Sequence, residues 1–165
     1  MKHITIYSKV NGIHSILIDD EDYDYVSKFN WCIYRCTFKG KKARTFYAVA
    51  KVDGMAIRMH RLLLGLSDPK ILVDHKDHNG LNNQRDNLRI ASAQQNQFNM
   101  RPFNSNKTGF KGVSYNKKDK RYAVFLMVSN KNTFFGNFKT PIEAAIKWNE
   151  LARQYHGEFA YQNPV

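Results

Sequence analysis

The stretch from Ile71 to Met100, ILVDHKDHNGLNNQRDNLRIASAQQNQFNM, constrains this chain more than any other. An apolar run ends in adjacent acid and imidazole, Asp74 and His75. Residues 76–87 then crowd Asn, Asp and Gly into a turn-rich segment that includes Asn79-Gly80 and Asn82-Asn83. Leu88 to Ala91 read as a second short strand. Ser92 can cap a helix, with Gln95 three positions on completing a capping box. The order is strand, loop, strand, helix, with Asn96 in the first turns of the helix. Turn chemistry accounts for 76–87, because Asn and Asp hydrogen-bond their own backbone. It does not account for Asp-His at a strand end followed by a helical Asn96.

The 165 residues fit one or two small domains, and 42% hydrophobic content can build a core. The net charge of +12 points to a polyanionic partner, nucleic acid first. The excess is uneven: residues 1–100 carry 15 Lys and Arg against 10 acids, and residues 101–165 carry 11 against 4. No run reaches the apolar length of a membrane span, and MKHITIYSKV lacks the apolar core of a signal peptide. The expected place of work is therefore the cytoplasm, with no membrane partner. Cys32 and Cys36 are too few for a disulfide scaffold. Four apart on a strand, they would lie about 13 Å from each other, too far to share a zinc ion. They are expected as two buried free thiols.

Residues 3–64 alternate short apolar runs with the turn pairs Asn11-Gly12, Lys39-Gly40 and Asp53-Gly54. ITIYS, HSILI, WCIYRCTF, TFYAVAKV and MAIRMH are rich in β-branched and aromatic residues and read as strands. DDEDYDYVSKFN has its acids first and its lysine last, which suits a short helix with a solvated start better than a metal site. His60 and Arg61 open a short helix that Gly65 closes. His60 is expected as a structural histidine, with an approach to the site around Asp74 and His75 as the alternative.

The set Asp74-His75, Asn79, Asn83, Asn87-Leu88-Arg89 and Asn96 resembles the HNH nucleases of the ββα-metal type. The three positions that name the family fall on His75, Asn87 and Asn96. His78 stands where many members have glycine. The resemblance implies phosphodiester hydrolysis in DNA. His75 would be the general base. Asp74 and Asn96 would hold one divalent ion, Mg²⁺ or Mn²⁺. Asn87 would brace the loop and orient His75. Such residue types suit that chemistry. An imidazole near its ordinary pKa takes a proton from water at neutral pH, and carboxylate and amide oxygens bind a hard cation. Neighbouring strand residues point to opposite faces, so Asp74 and His75 can serve one phosphate only if the strand ends or twists there.

RPFNSNKT, residues 101–108, reads as a linker. Beyond it, FKGVSY, RYAVFLMV and NTFFGNF read as strands, and a helix starts at Thr140-Pro141-Ile142-Glu143. Ala144, Ala145, Trp148, Leu151, Ala152 and Tyr155 share one face of that helix. Lys111-Gly112-Val113, Tyr122-Ala123, Gly136-Asn137-Phe138 and Glu143-Ala144-Ala145 resemble the plant APETALA-type, or ethylene-response-factor, DNA-binding domain. That resemblance implies a three-stranded sheet on one helix that enters a DNA major groove. Ser114, Phe125, Met127 and Phe134 replace the usual reading residues, so double-stranded DNA binding transfers better than sequence readout. Lys111, Lys117, Lys118, Lys120 and Arg121 are the expected phosphate contacts, with Tyr115 and Tyr122 beside them and Arg85 and Arg89 from the central stretch. Phe110, Phe134, Phe135, Phe138 and Trp148 are expected in the core.

The expected fold is α+β. Residues 1–100 form the nuclease domain, with β-rich support over 1–70 and the ββα-metal motif over 71–100. Residues 109–165 form the DNA-binding domain. One metal centre per chain favours a monomeric nicking enzyme of the phage or homing type. The rival reading is a non-enzymatic DNA-binding or regulatory protein with a decayed nuclease centre.

Overall fold

The computed structural model describes residues 1–38 and 41–165, with side chains described outside 37–44. The expected turn at Lys39-Gly40 lies outside the described residues. The fold is mixed α+β, and the chain forms two compact units, Met1–Ala93 and Gln94–Val165.

In the first unit, β1 (Lys2–Ser8) and β2 (Gly12–Ile18) form an antiparallel hairpin. α1 (Asp20–Val26) follows, opening with Asp20, Glu21 and Asp22, which complement the helix dipole. β3 (Cys32–Phe38), β4 (Lys41–Val52) and β5 (Met55–Arg58) make an antiparallel sheet in that order. Asp53 and Gly54 both take positive φ, the conformation of a two-residue hairpin turn. α2 (Met59–Leu63) leads to β6 (Leu72–His75), which pairs antiparallel with β7 (Leu88–Ala91). Ile16, Ile18, Val26, Trp31, Ile33, Ala48, Ala50, Met59, Leu63 and Leu81 form the core. Each fully buried aliphatic side chain contributes about 2 kcal/mol, so Ile16 and Ile18 anchor β2 strongly. β2 is in turn a support for the central loop. Leu17 N–H donates to Leu81 O at 2.9 Å, and Asn83 N–H donates to Leu17 O at 2.9 Å.

The cysteines depart from expectation. Both lie on β3 outside any disulfide, but Cys32 is exposed and Cys36 half-buried. Alternation places Trp31 and Ile33 inward, so Cys32 points out. The pairing with β4 shifts register between Arg35 and Thr37, which breaks the simple alternation that would put Cys36 on the same face.

In the second unit, α3 (Ala93–Asn99) is followed by β8 (Val113–Asn116), β9 (Arg121–Val128), β10 (Lys131–Phe138) and α4 (Pro141–His156). α3 begins one residue before this unit and lies in it otherwise. The sheet is antiparallel with β9 in the middle, and α4 packs on it. Thr140 Oγ1 accepts from Glu143 N–H at 3.1 Å, which caps α4 as its sequence predicts. Ala144, Ala145, Trp148, Leu151 and Ala152 are buried against Val113, Val124 and Leu126. Tyr155, expected on that face, is 45% exposed and stands beside Phe135 instead. Phe134, expected in the core, is 52% exposed and pairs with Phe125 on the sheet face away from α4. Gly112 is required by close approach as well as by its φ of +71°: an added Cβ would overlap Trp148 and come within 2.5 Å of Phe125 O. No helix among the described residues is long and apolar enough to cross a membrane.

Candidate functional site

β6 ends at His75, and the chain turns at once: His78 N–H returns to His75 O at 3.0 Å. Lys76 N–H donates to Asn87 O at 3.0 Å, closing the base of the loop. Asn87 then holds the loop from within. Its Oδ1 accepts from Asp77 N–H at 3.0 Å, and its Nδ2 donates to Asp77 Oδ1 at 3.0 Å and to Asn82 O at 2.8 Å. Asp77 also accepts from Asn79 N–H at 2.8 Å and from Asn82 Nδ2 at 2.8 Å. Burial opposes the ionised form of Asp77, but these hydrogen bonds outweigh it and hold its carboxyl below the usual range. Asp77 thus closes the loop. His78 has a φ of +63°, the conformation that a glycine at this position would adopt freely.

The loop also rests on β4. An added Cβ at Gly80 would come within 2.4 Å of Phe46 O and 2.7 Å of the Tyr47 ring, so the backbone can approach only without a side chain. Tyr47 is one of three rings that meet here. The centroids of His60 and His75 are 5.0 Å apart, edge to face. Tyr47 lies 5.4 Å from His60 and 5.9 Å from His75. The structural role expected of His60 is therefore exercised directly on His75. The sequence marks His60 only as a histidine that could approach the site, and it does not mark Tyr47. The one available signal was a histidine opening a short apolar helix ahead of the Asp-His strand.

Asp74 and His75 are both buried. Burial lowers the His75 pKa, opposed in part by the negative charges of Asp77 and Asp74. Burial, reinforced by the charges of His75, Arg58 and Arg61, lowers His60 to about 3. Both imidazoles are therefore neutral at pH 7. Asp74 sits opposite Arg89 in the β6–β7 pair, and Arg89 donates Nε and Nη2 to Asp74 Oδ2 at 2.9 and 2.7 Å. This corrects the expectation for Arg89. Its side chain is 10% exposed and neutralises Asp74, so it is not a surface cation for phosphate.

Arg85 is also engaged. It donates Nε and Nη2 to the two oxygens of buried Asp22 at 2.8 and 2.7 Å, while its backbone N–H donates to Asp19 Oδ2 at 2.7 Å. The acidic run of α1 thus anchors the end of the central loop, a use that its local sequence does not reveal.

Asn96 lies half-buried on α3, in the second unit. Among the described residues no three His, Cys, Asp or Glu side chains cluster as a metal cage. The candidate donors are one carboxylate and one amide oxygen. Such a hard, sparse set fits an ion like Mg²⁺, which keeps several waters and takes few protein ligands.

In the second unit, Lys117, Lys118, Lys120 and Arg121 are all exposed around one turn. Asn116 Oδ1 accepts from Lys118 N–H at 3.0 Å, and Asn116 Nδ2 donates to Asp119 Oδ2 at 2.6 Å, which fixes the turn beneath the cations. Tyr115 is 47% exposed, and its ring is 5.0 Å from the half-buried ring of Tyr122. Lys111 is placed differently. Its Nζ donates to the carbonyl oxygens of Gln97, Phe98 and Met100 at 2.9, 2.8 and 2.7 Å, so it leaves the set of expected phosphate contacts. Burial lowers its pKa to about 8.

Comparison with known proteins adds three findings. A family model described as HNH endonuclease matches residues 61–98. The uncharacterized HNH endonuclease L560 of Acanthamoeba polyphaga mimivirus is 31% identical over 168 residues, covering 99% of this chain and 81% of that protein. Protein 3.8 of Escherichia phage T7 is 33% identical over 88 residues, covering 53% of this chain and 72% of that protein. No solved structure matches.

Proposed function

The chain belongs to the HNH endonuclease family, and on that premise we propose that it is a metal-dependent DNA endonuclease with its centre at Asp74, His75 and Asn96. The observation that carries this reading is the braced loop. Asn87 ties both ends of the turn after His75, while the rings of Tyr47 and His60 pack against His75. An active site needs its reacting groups held in this way before substrate arrives.

His75 is neutral at pH 7 and takes a proton from the attacking water. The water oxygen forms a bond to phosphorus, the bond from phosphorus to the 3′ oxygen breaks, and that oxygen takes up a proton. The products carry 5′-phosphate and 3′-hydroxyl ends. Asp74 and Asn96 are the protein oxygens for one Mg²⁺ or Mn²⁺, by the family motif. When bound, such an ion relieves the negative charge on the phosphate and on the leaving oxygen. Arg89 pairs with Asp74 and orients it, the usual task of an outer partner to a ligating carboxylate. Asn87 is the brace.

The C-terminal sheet and helix, read as an APETALA-type domain over 109–165, hold double-stranded DNA. Lys117, Lys118, Lys120 and Arg121 contact phosphates, with Tyr115 and Tyr122 beside them. Arg85, bound to Asp22, contributes at most its exposed edge. One centre per chain makes the enzyme a monomeric nickase of the phage or homing type, working in the cytoplasm of a bacterial or phage-infected cell.

Supercoiled plasmid incubated with the protein tests the proposal. Open circles should accumulate with Mg²⁺ or Mn²⁺ and not with EDTA, and ligase should reseal them. Open circles formed equally in EDTA, or ends that ligase cannot join, would remove the metal-dependent reading.

A further inference from the structure

α3 has seven residues, too few to hold its shape alone in water, so its position depends on what clasps it. The clasp is Lys111. Its ammonium has three N–H bonds, and all three go to carbonyl oxygens at the C-terminal end of α3, on Gln97, Phe98 and Met100. A positive charge there also complements the negative end of the helix dipole. The ammonium stands 5.9 Å from the Trp148 ring and 5.6 Å from the Tyr161 ring.

The lysine is itself fixed at its backbone. Lys111 N–H donates to Asn163 Oδ1 at 2.7 Å, and Asn163 Nδ2 donates to Lys111 O at 3.2 Å. Asn163 exchanges two further bonds with Asn149 of α4, at 2.7 and 3.0 Å. Asn149 and Asn163 are buried, so these amide hydrogen bonds are shielded from water. Two more contacts seat the helix: Tyr161 N–H donates to Phe98 O at 3.2 Å, and the Phe98 ring stacks on His156 with centroids 3.6 Å apart. Asn96 directly precedes the capped carbonyls.

We propose that Lys111 is a positioning residue of the nuclease: by capping α3 it fixes where Asn96 presents its amide oxygen. The inference rests on the reading of Asn96 as a metal ligand. It separates Lys111 from the exposed lysines, which keep their donors for phosphate.

The test uses the full chain with His75→Ala throughout, so that the duplex stays intact. Mn²⁺ binding to the enzyme–duplex complex is read by electron paramagnetic resonance, and duplex affinity is measured at several salt concentrations. Lys111→Met should weaken Mn²⁺ binding by about tenfold or more, with duplex affinity and its salt slope unchanged. Lys111→Arg should recover part of the loss. Thr140→Ala removes the cap of α4 in the same unit without touching α3, and it should leave Mn²⁺ binding unchanged. The inference is overturned if Lys111→Met lowers the salt slope by about one while sparing Mn²⁺, or if Thr140→Ala matches its effect on Mn²⁺. Asn96→Ala separates the two readings. If it weakens Mn²⁺ binding and Lys111→Met does not, the positioning role alone fails. If it has no effect, the assignment of Asn96 fails and the positioning role with it.

Discussion

In residues 76–87 four polar side chains turn onto their own segment, whereas in residues 116–121 two polar side chains hold the turn and four cations face solvent. Asp77, Asn79, Asn82 and Asn87 all accept backbone N–H bonds within the central loop. Asn116 and Asp119 do the equivalent work in the second turn and leave Lys117, Lys118, Lys120 and Arg121 exposed. Both segments are turns rich in polar residues, yet one is built to hold a fixed geometry and the other to present charge. Substitutions in the first should act on stability and rate. Substitutions in the second should act on association.

Asn87→Ala is the strongest probe of that contrast. It removes an acceptor and two donated bonds around Asp77 and the half-buried Asn82, three partly shielded hydrogen bonds worth about 1 kcal/mol each. Denaturant unfolding should show the first unit weakened by about 3 kcal/mol. A loss under about 0.5 kcal/mol, the usual scale of surface changes, would mean that the loop is held by something else.

Replacing Lys117, Lys118 and Lys120 together by Ala should do the opposite. Stability should stay within about 0.5 kcal/mol. Duplex affinity should fall by about a hundredfold near 0.1 M salt, with the salt slope reduced by roughly 2.7 for three lost phosphate contacts. An unaltered slope would remove these lysines from the interface.

Acid should separate the units next. Burial depresses the folded pKa of His60 to about 3, far below its ordinary 6.5, and lowers His75 as well. The unfolded chain therefore binds more protons, so this stability is complete above pH 6.5 and lost as pH falls toward 3. His60 alone accounts for roughly 2 kcal/mol by pH 5. His60→Phe should flatten the pH dependence of unfolding in the first unit. If the curve keeps its slope, His60 is not the buried neutral group.

The smallest effect belongs to His78→Gly. A non-glycine residue at φ +63° carries about 1–2 kcal/mol of backbone cost, partly offset by the entropy glycine loses on folding. A gain of up to about 1 kcal/mol in denaturant is expected. A clear loss would show that the His78 ring contributes more than its backbone costs.

What the sequence makes legible is whatever local chemistry decides. RYAVFLMV becomes β9 with its bounds unchanged, because β-branched and aromatic residues run unbroken between two turns. Thr140 caps α4 because hydroxyl, proline and acid fall in the right order. Asp74 and His75 close a strand because the turn residues begin at the next position. The rest depends on contacts between distant segments. Lys111 meets residues 97–100 and Asn163, Arg85 meets Asp22, and Tyr47 and His60 meet His75. No periodicity carries those pairings. Arg89 was the most accessible of them: once β6 and β7 pair antiparallel, Asp74 faces Arg89 by register. An acid opposite a base on adjacent strands then reads as a pair rather than as two independent ligands.

The central claim is that His75 is the base of a centre whose loop is already formed. Single-turnover cleavage of prebound duplex by the His75→Ala variant, in saturating Mn²⁺ and beside the unaltered protein, tests it most directly. Loss of about 10²–10⁴-fold in the cleavage rate, with duplex affinity and unfolding stability retained, is the predicted result. Cleavage at the unaltered rate would contradict it.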